Sequence, residues 1–186
     1  RDMALGQRMH GLRDRMSISR YLHEMKKPTI AAVEGSCAGA GLSIALACDF
    51  RIVAEDAKIT TAFKNVGLSG DFGGTYFLSK ILGAAKAREM YLLSPLLSGI
   101  QAVEMGVATR AVPGTDVQAT ARAMGAELAA GPTLTLGRIK DNLLMAESGA
   151  SLSACFDNEA RNHMMSSTTA DHREAAAAFV EKRKPV

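Results

Sequence analysis

Short apolar runs punctuated by glycine and proline fill the first part of the chain, and longer helical periodicities fill the rest. Residues 5–25 place Met9, Leu12, Met16 and Ile18 at mixed helical spacing, which predicts one moderately amphipathic helix. Pro28 ends it, because the ring disfavours the α region for Lys27. Residues 29–33 (TIAAV) are short, apolar and β-branched at both ends, the pattern of a buried strand. A glycine-rich turn follows at 35–41 (GSCAGAG), then an Ala-rich buried helix at 42–47. Strands are predicted at 50–54 (FRIVA) and 58–61, and helices at 74–81 and 84–93, the second with Ala87, Met90 and Tyr91 on one face. A short helix at 101–105 is closed by Gly106, and a short strand at 111–112 is stopped by Pro113.

From Asp116 onward only helical patterns remain. Val117, Ala121, Met124 and Leu128 recur at helical spacing over 116–130, with Asp116 where an N-cap belongs. Pro132 starts the next helix, with Leu136, Ile139 and Leu143 as its apolar stripe, and two more helices are predicted at 151–166 and 171–182. The chain is therefore expected to divide into an α/β part, 1–115, and an all-helical part, 116–186.

Composition narrows the function classes. With 186 residues, 47% hydrophobic and 22% charged, the chain suits one globular domain with a substantial core. No apolar run approaches the roughly 20 residues that span a bilayer, so no membrane partner is expected. Net charge is +3 without a dense basic stripe outside the last residues, which argues against nucleic acid and suits a small phosphate-bearing ligand. Cys37, Cys48 and Cys155 show no CxxC spacing, pointing away from disulfides or zinc and towards a reducing compartment; a cytoplasmic location is expected. His10, His23, His163 and His172 have no ligand spacing and read as helix-surface residues, so no metal is expected. Arg1 rather than Met opens the sequence, and the N-terminal part of the protein is expected to lie upstream.

Two glycine-rich turns carry the candidate chemistry. In the first, the glycines flanking Ala40 let the backbone bend sharply and approach a ligand, and the helix that follows begins with unpaired N–H groups that favour an anionic oxygen. The alternative is a plain strand–helix turn. In the second, Asp71 lies within SGDFGG beside Phe72. A carboxylate in a partly apolar pocket has a raised pKa and suits a general base; the alternative is a helix N-cap. Cys37 reads as a buried thiol, Asp49 as a structural hydrogen-bonding residue, and the ten methionines as adaptable core and pocket lining.

The ordered set KPTIAAVEGSCAGAG, CDFRIVAEDAKI, VGLSGDFGGT and the terminal DHREAAAAFVEKRK resembles the crotonase (enoyl-CoA hydratase/isomerase) superfamily. Its second turn is closest to enoyl-CoA isomerases of the phenylacetate-degradation type. The resemblance implies an α/β fold, the crotonase (ClpP/crotonase) spiral of ββα units, with a C-terminal helical trimerisation region and assembly as trimers or hexamers. It implies an oxyanion hole for a CoA thioester, with the N–H of Ala40 as one donor and the other upstream of Arg1. Coenzyme A then enters as part of the acyl-CoA substrate, and no separate cofactor is expected. Phe179 and Lys182 fall at positions that reach the CoA of a neighbouring subunit.

Hydratases of this superfamily use two glutamates to add water to a double bond. Their positions fall here on Ser43 and Phe63, neither of which is a base at neutral pH. Asp71 falls on the isomerases' catalytic aspartate, and Ser43, Phe63, Phe72 and Gly73 are expected to line the substrate pocket. The resemblance thus implies a double-bond shift in an enoyl-CoA, with Asp71 as proton shuttle. A hydratase with a differently placed second acid, and a non-catalytic acyl-CoA-binding subunit, are the alternatives.

Overall fold

A computed structural model describes residues 4–185. Its elements in order are α1 (Leu5–Arg15), α2 (Ser17–Glu24), β1 (Ile30–Val33), β2 (Cys37–Ala38), α3 (Ala40–Leu46), β3 (Phe50–Ala54), β4 (Ile59–Thr60), a 3₁₀ turn (Phe63–Val66), α4 (Gly74–Leu93), α5 (Gly99–Glu104) and β5 (Arg110–Val112). A second 3₁₀ turn (Gly114–Asp116) precedes α6 (Val117–Ala129), α7 (Thr133–Glu147), α8 (Leu152–Ser167) and α9 (Ala170–Val180). Contacts divide the described residues into two compact units, the first formed by 4–23 and 29–125, the second by 24–28 and 126–185.

In the first unit, consecutive strands enter different sheets. β1, β3 and β5 form one parallel sheet in that order, and β2 and β4 form a second parallel pair. Each ββα repeat therefore stacks on the previous one: first strand on first strand (Ile30 opposite Phe50), second on second (Cys37 opposite Ile59). This is one winding of a ββα spiral. The core lies inside the winding, where Ile52, Val53, Ile59, Leu78 and Met90 are almost fully buried.

Two polar devices lock the strands at their ends. Asp49 Oδ2 accepts from the Thr29 N–H (2.7 Å) and hydroxyl (2.9 Å), while the Asp49 N–H donates to Thr29 Oγ1 (3.0 Å). That reciprocal pair pins the start of β3 to the start of β1, the structural role expected of Asp49. Arg51, buried on β3, donates through Nε to the Val107 carbonyl (2.7 Å) and through Nη1 to the carbonyls of Cys48 (2.6 Å) and Ala45 (3.4 Å). It thereby satisfies carbonyls at the C-terminal end of α3, where a cation is also favoured by the helix dipole.

The structure departs from the sequence pattern in three places. The helix expected over 5–25 is two, α1 and α2, meeting at Met16; α1 buries none of its residues, whereas α2 buries Ser19. The residues 37–38, read as turn, form β2, because Cys37 N–H and Gly39 N–H donate to the carbonyls of Lys58 (2.9 Å) and Thr60 (3.3 Å). His23 is half-buried rather than on the surface, its ring edge-on to Phe77 with centroids 5.0 Å apart. The break expected between 81 and 84 is present: α4 is interrupted at Gly83 (φ 76°, ψ 164°).

In the second unit, α7 and α8 pack face to face. Asn158 and Asn162 of α8 donate to Asp141 (3.2 and 2.9 Å) and to Asn142 (2.9 and 2.7 Å) of α7. These amide bonds come first among the causes that hold the Asp141 carboxyl below its ordinary range.

Replacing Arg51 by Met keeps an apolar stem but leaves buried carbonyls without their donor. Arg51→Met is expected to cost about 2–4 kcal/mol, read as a lower urea midpoint with an unchanged slope; a midpoint equal to wild type would remove Arg51 from the account of the fold.

Candidate active site

Ala40 is the first residue of α3, and the residue before it, Gly39, takes φ 55° and ψ −123°. No L side chain adopts that conformation readily, so Gly39 is what lets β2 turn directly into the helix. Gly41 has an ordinary φ and open space around it, so the bend needs one glycine, not the expected two. First-turn N–H groups such as that of Ala40 have no intrahelical acceptor. One turn into α3, Ser43 is buried (1% exposed), its N–H and hydroxyl both directed to the Gly39 carbonyl at 3.0 and 3.2 Å.

Between the 3₁₀ turn and α4, Gly67, Gly70, Phe72 and Gly73 all have positive φ. At Phe72 (φ 49°) this left-handed backbone costs on the order of 1 kcal/mol. Asp71 sits inside this strained loop. Its carbonyl accepts from the Gly74 N–H (3.1 Å), but its side chain does not cap α4, whose N-cap is Gly73. Asp71 Oδ1 is buried with no hydrogen-bond partner among the described residues. Burial pushes the Asp71 carboxyl above the ordinary carboxylate range. Of the two readings of Asp71, the geometry thus disfavours the cap.

Phe63 lies inside the protein, 6% exposed, its ring 3.8 Å from where a Gly39 Cβ would stand. It stacks on Tyr91, the rings 3° from parallel with centroids 6.1 Å apart. Tyr91 comes from the far half of α4, yet its oxygen and Ser43 Oγ lie 2.3 and 2.2 Å from where a Gly74 Cβ would be. The same ring stands 3.2 Å from a Gly70 Cβ position, one residue before Asp71. Burial holds the Tyr91 phenol above its ordinary pKa, a hydrogen bond with Ser43 works against that, and the nearby Asp71 charge adds to it. Tyr91 also lines a cavity of about 310 Å³ along α4 with Thr75, Ala87 and Arg88.

The first unit therefore brings Ala40, Ser43, Phe63 and Asp71 to facing turns, with Phe72 and Gly73 in the Asp71 loop. Phe179 and Lys182 belong to the second unit, at the end of α9. Phe179 is 85% exposed and Lys182 is exposed with φ 54°. Cys37 is buried, which pushes its thiol up to about 11 and makes it a poor nucleophile. Tyr91 went unnoticed in the sequence, where it reads only as one of three residues on a core face. Its hydroxyl, on a face otherwise formed by Ala87 and Met90, was the available signal.

Residues 13–186 match the profile of the Enoyl-CoA hydratase/isomerase family. The chain belongs to this family. It is similar to a 1,2-epoxyphenylacetyl-CoA isomerase of Escherichia coli (strain K12), 39% identical over 89% of this chain and 63% of the relative. It is also similar to a probable enoyl-CoA hydratase of Rhodobacter capsulatus, 39% identical over 85% of the chain and 61% of the relative. Among solved structures, an enoyl-CoA hydratase from Polaromonas sp. JS666 superposes with a TM-score of 0.92 at 31% identity, over 98% of this chain and 71% of the other. The chain thus spans little more than three fifths of the length of these two curated relatives. The spiral of the enoyl-CoA hydratase/isomerase family is the fold described above.

The meeting of Ser43 and Tyr91 over Gly74 leaves no room for a methyl group. Gly74→Ala is expected to destabilise by about 1–3 kcal/mol through overpacking. A thermal midpoint indistinguishable from wild type would show that the two side chains move aside without cost.

Proposed function

We propose that this family member shifts the double bond of an enoyl-CoA, with Asp71 as the single proton carrier. The observation that carries the reading is Oδ1 of Asp71, buried and unpartnered among the described residues, in a strained loop that leads into Gly74 beside Ser43 of α3. A carboxylate with one buried oxygen unpartnered among the described residues and with a raised pKa is poised to accept a proton from a substrate. It takes the proton from C2 of a 3-enoyl thioester, and the C–H electron pair moves into a dienolate. The same proton is then returned at C4, leaving the conjugated 2-enoyl thioester. No water is consumed and no cofactor is needed.

Negative charge grows on the thioester oxygen as the proton leaves, so donors aimed at that oxygen lower the barrier. The Ala40 N–H, at the first turn of α3, supplies one such donor. The isomerase name carried by the Escherichia coli relative supports this reading. The hydratase names of other relatives define its competitor.

In the full-length protein, trans-3-enoyl-CoA is expected to give rising ultraviolet absorbance from the conjugated product. Asp71→Asn is expected to lower that rate by ~10²–10⁴-fold with KM nearly unchanged. No rise, but falling absorbance with 2-enoyl-CoA, would establish hydration; CoA-ester binding with no turnover would establish a binding subunit. Stability supplies a second readout. A carboxyl whose pKa is raised on folding destabilises the protein at pH values where it is ionised, and that cost fades as pH falls through the folded pKa. Asp71→Asn should therefore melt above wild type at neutral pH, with the gap closing on acidification.

The exposed Phe179 and Lys182 support a CoA-binding role towards a neighbouring copy, with Lys182 meeting a phosphate as a point charge. Leu143, Phe156 and Met164, exposed on α7 and α8, support self-association as a trimer or hexamer. Light scattering is expected to give three or six copies, and Lys182→Ala to raise KM for the CoA ester. A monomer with unchanged KM would refute both.

A further inference from the structure

Resting on that one-carboxylate reading, we propose that Tyr91 is the positioning residue that commits this site to moving a proton rather than adding water. Hydration needs space for a water molecule beside the double bond and polar groups to orient it; a held water requires two to four such partners. Tyr91 occupies that space between the two turns. Its ring lies parallel to Phe63, its oxygen stands with Ser43 Oγ at the Gly74 Cβ position, and its edge faces Gly70. Ser43 and Phe63, the two positions that the resemblance assigns to water-activating glutamates, are thus both covered by one side chain. The Phe63–Tyr91 stack offers a water no hydrogen bond. The Ser43 hydroxyl donates its proton within the protein, to the Gly39 carbonyl (3.2 Å), and the Tyr91 oxygen stands beside it at the Gly74 Cβ position. Among the described residues, Asp71 Oδ1 is left without a competing internal donor.

This placement is a product of the fold and not of local sequence. In an uninterrupted helix Gly74 and Tyr91 would stand about 25 Å apart along the axis. The break at Gly83 turns the second half of α4 back, so that Tyr91 closes over the residue that begins the helix. The cavity of about 310 Å³ that Tyr91 also lines means that trimming the ring joins existing space to the site.

The test separates the products of full-length wild type, Tyr91→Phe and Tyr91→Ala supplied with trans-3-enoyl-CoA. Wild type is expected to form 2-enoyl-CoA with little 3-hydroxyacyl-CoA. Tyr91→Phe keeps the ring in place and loses only the hydroxyl; the product ratio should stay at the wild-type value. Tyr91→Ala should raise the share of 3-hydroxyacyl-CoA well above wild type. A purely structural role would lower turnover and leave that ratio where it was. If Tyr91→Ala shows no cooperative melt, Tyr91→Val, which removes the ring and fills only part of its space, is read in the same way. An unchanged ratio in the folded variant, with wild type still isomerising, overturns the role of Tyr91 alone. A wild type that makes no 2-enoyl-CoA overturns the one-carboxylate reading and this inference together.

Discussion

A missing side chain at Gly74 is the constraint on which the site depends. Ser43 from α3 and Tyr91 from the end of α4 converge where a Cβ would stand, so three segments distant in sequence touch at one backbone atom. Two further glycines make that convergence possible. Gly39 turns β2 into α3 without a spacer, and Gly83 folds α4 back on its own beginning. Each acts through backbone geometry that an L side chain resists. The Asp71 loop lies against this junction, with the Tyr91 ring 3.2 Å from the Gly70 Cβ position.

Polar groups elsewhere in the first unit are arranged on the opposite principle. Thr29, Asp49 and Arg51 are tied to backbone or to each other, as buried donors and acceptors must be if they are not to cost stability. Asp71 Oδ1 breaks that rule, and it breaks it inside a run of positive φ angles. Ser19 Oγ on α2 is likewise buried without a partner among the described residues, but α2 holds no residue of positive φ. That buried oxygen inside a strained loop is the feature on which the proposed proton transfer rests.

Much of the architecture was readable because its signals are local. The strand at 50–54 is found at Phe50–Ala54, and that at 29–33 begins one residue later, since β-branched residues bounded by Pro28 and Glu34-Gly35 leave little choice. The break in α4 was marked by Gly83. Other features exist only through distant pairing. Two residues, Cys37 and Ala38, become a strand because β4 is there to receive them. Arg51 looks like an ordinary strand residue until α3 delivers carbonyls to it. At the site, the chemistry of Asp71 could be suspected from its neighbours, whereas Tyr91 lies twenty residues further along and reaches the site only through the fold.

The stacking of one ββα repeat on the next also sets how far apart in sequence the paired strands lie. Ile30 pairs with Phe50 and Cys37 with Ile59, so the first winding closes over loops of about twenty residues. Ile52 pairs with Arg110, across a loop nearly three times as long. Loop-closure entropy rises with the logarithm of length, and that difference amounts to about 1 kcal/mol. The β1–β3 pairing is accordingly the cheaper one to form early. Asp71, Gly74 and Tyr91 all fall within the longer loop, so the junction that builds the site assembles in the part of the chain whose closure is entropically the more demanding.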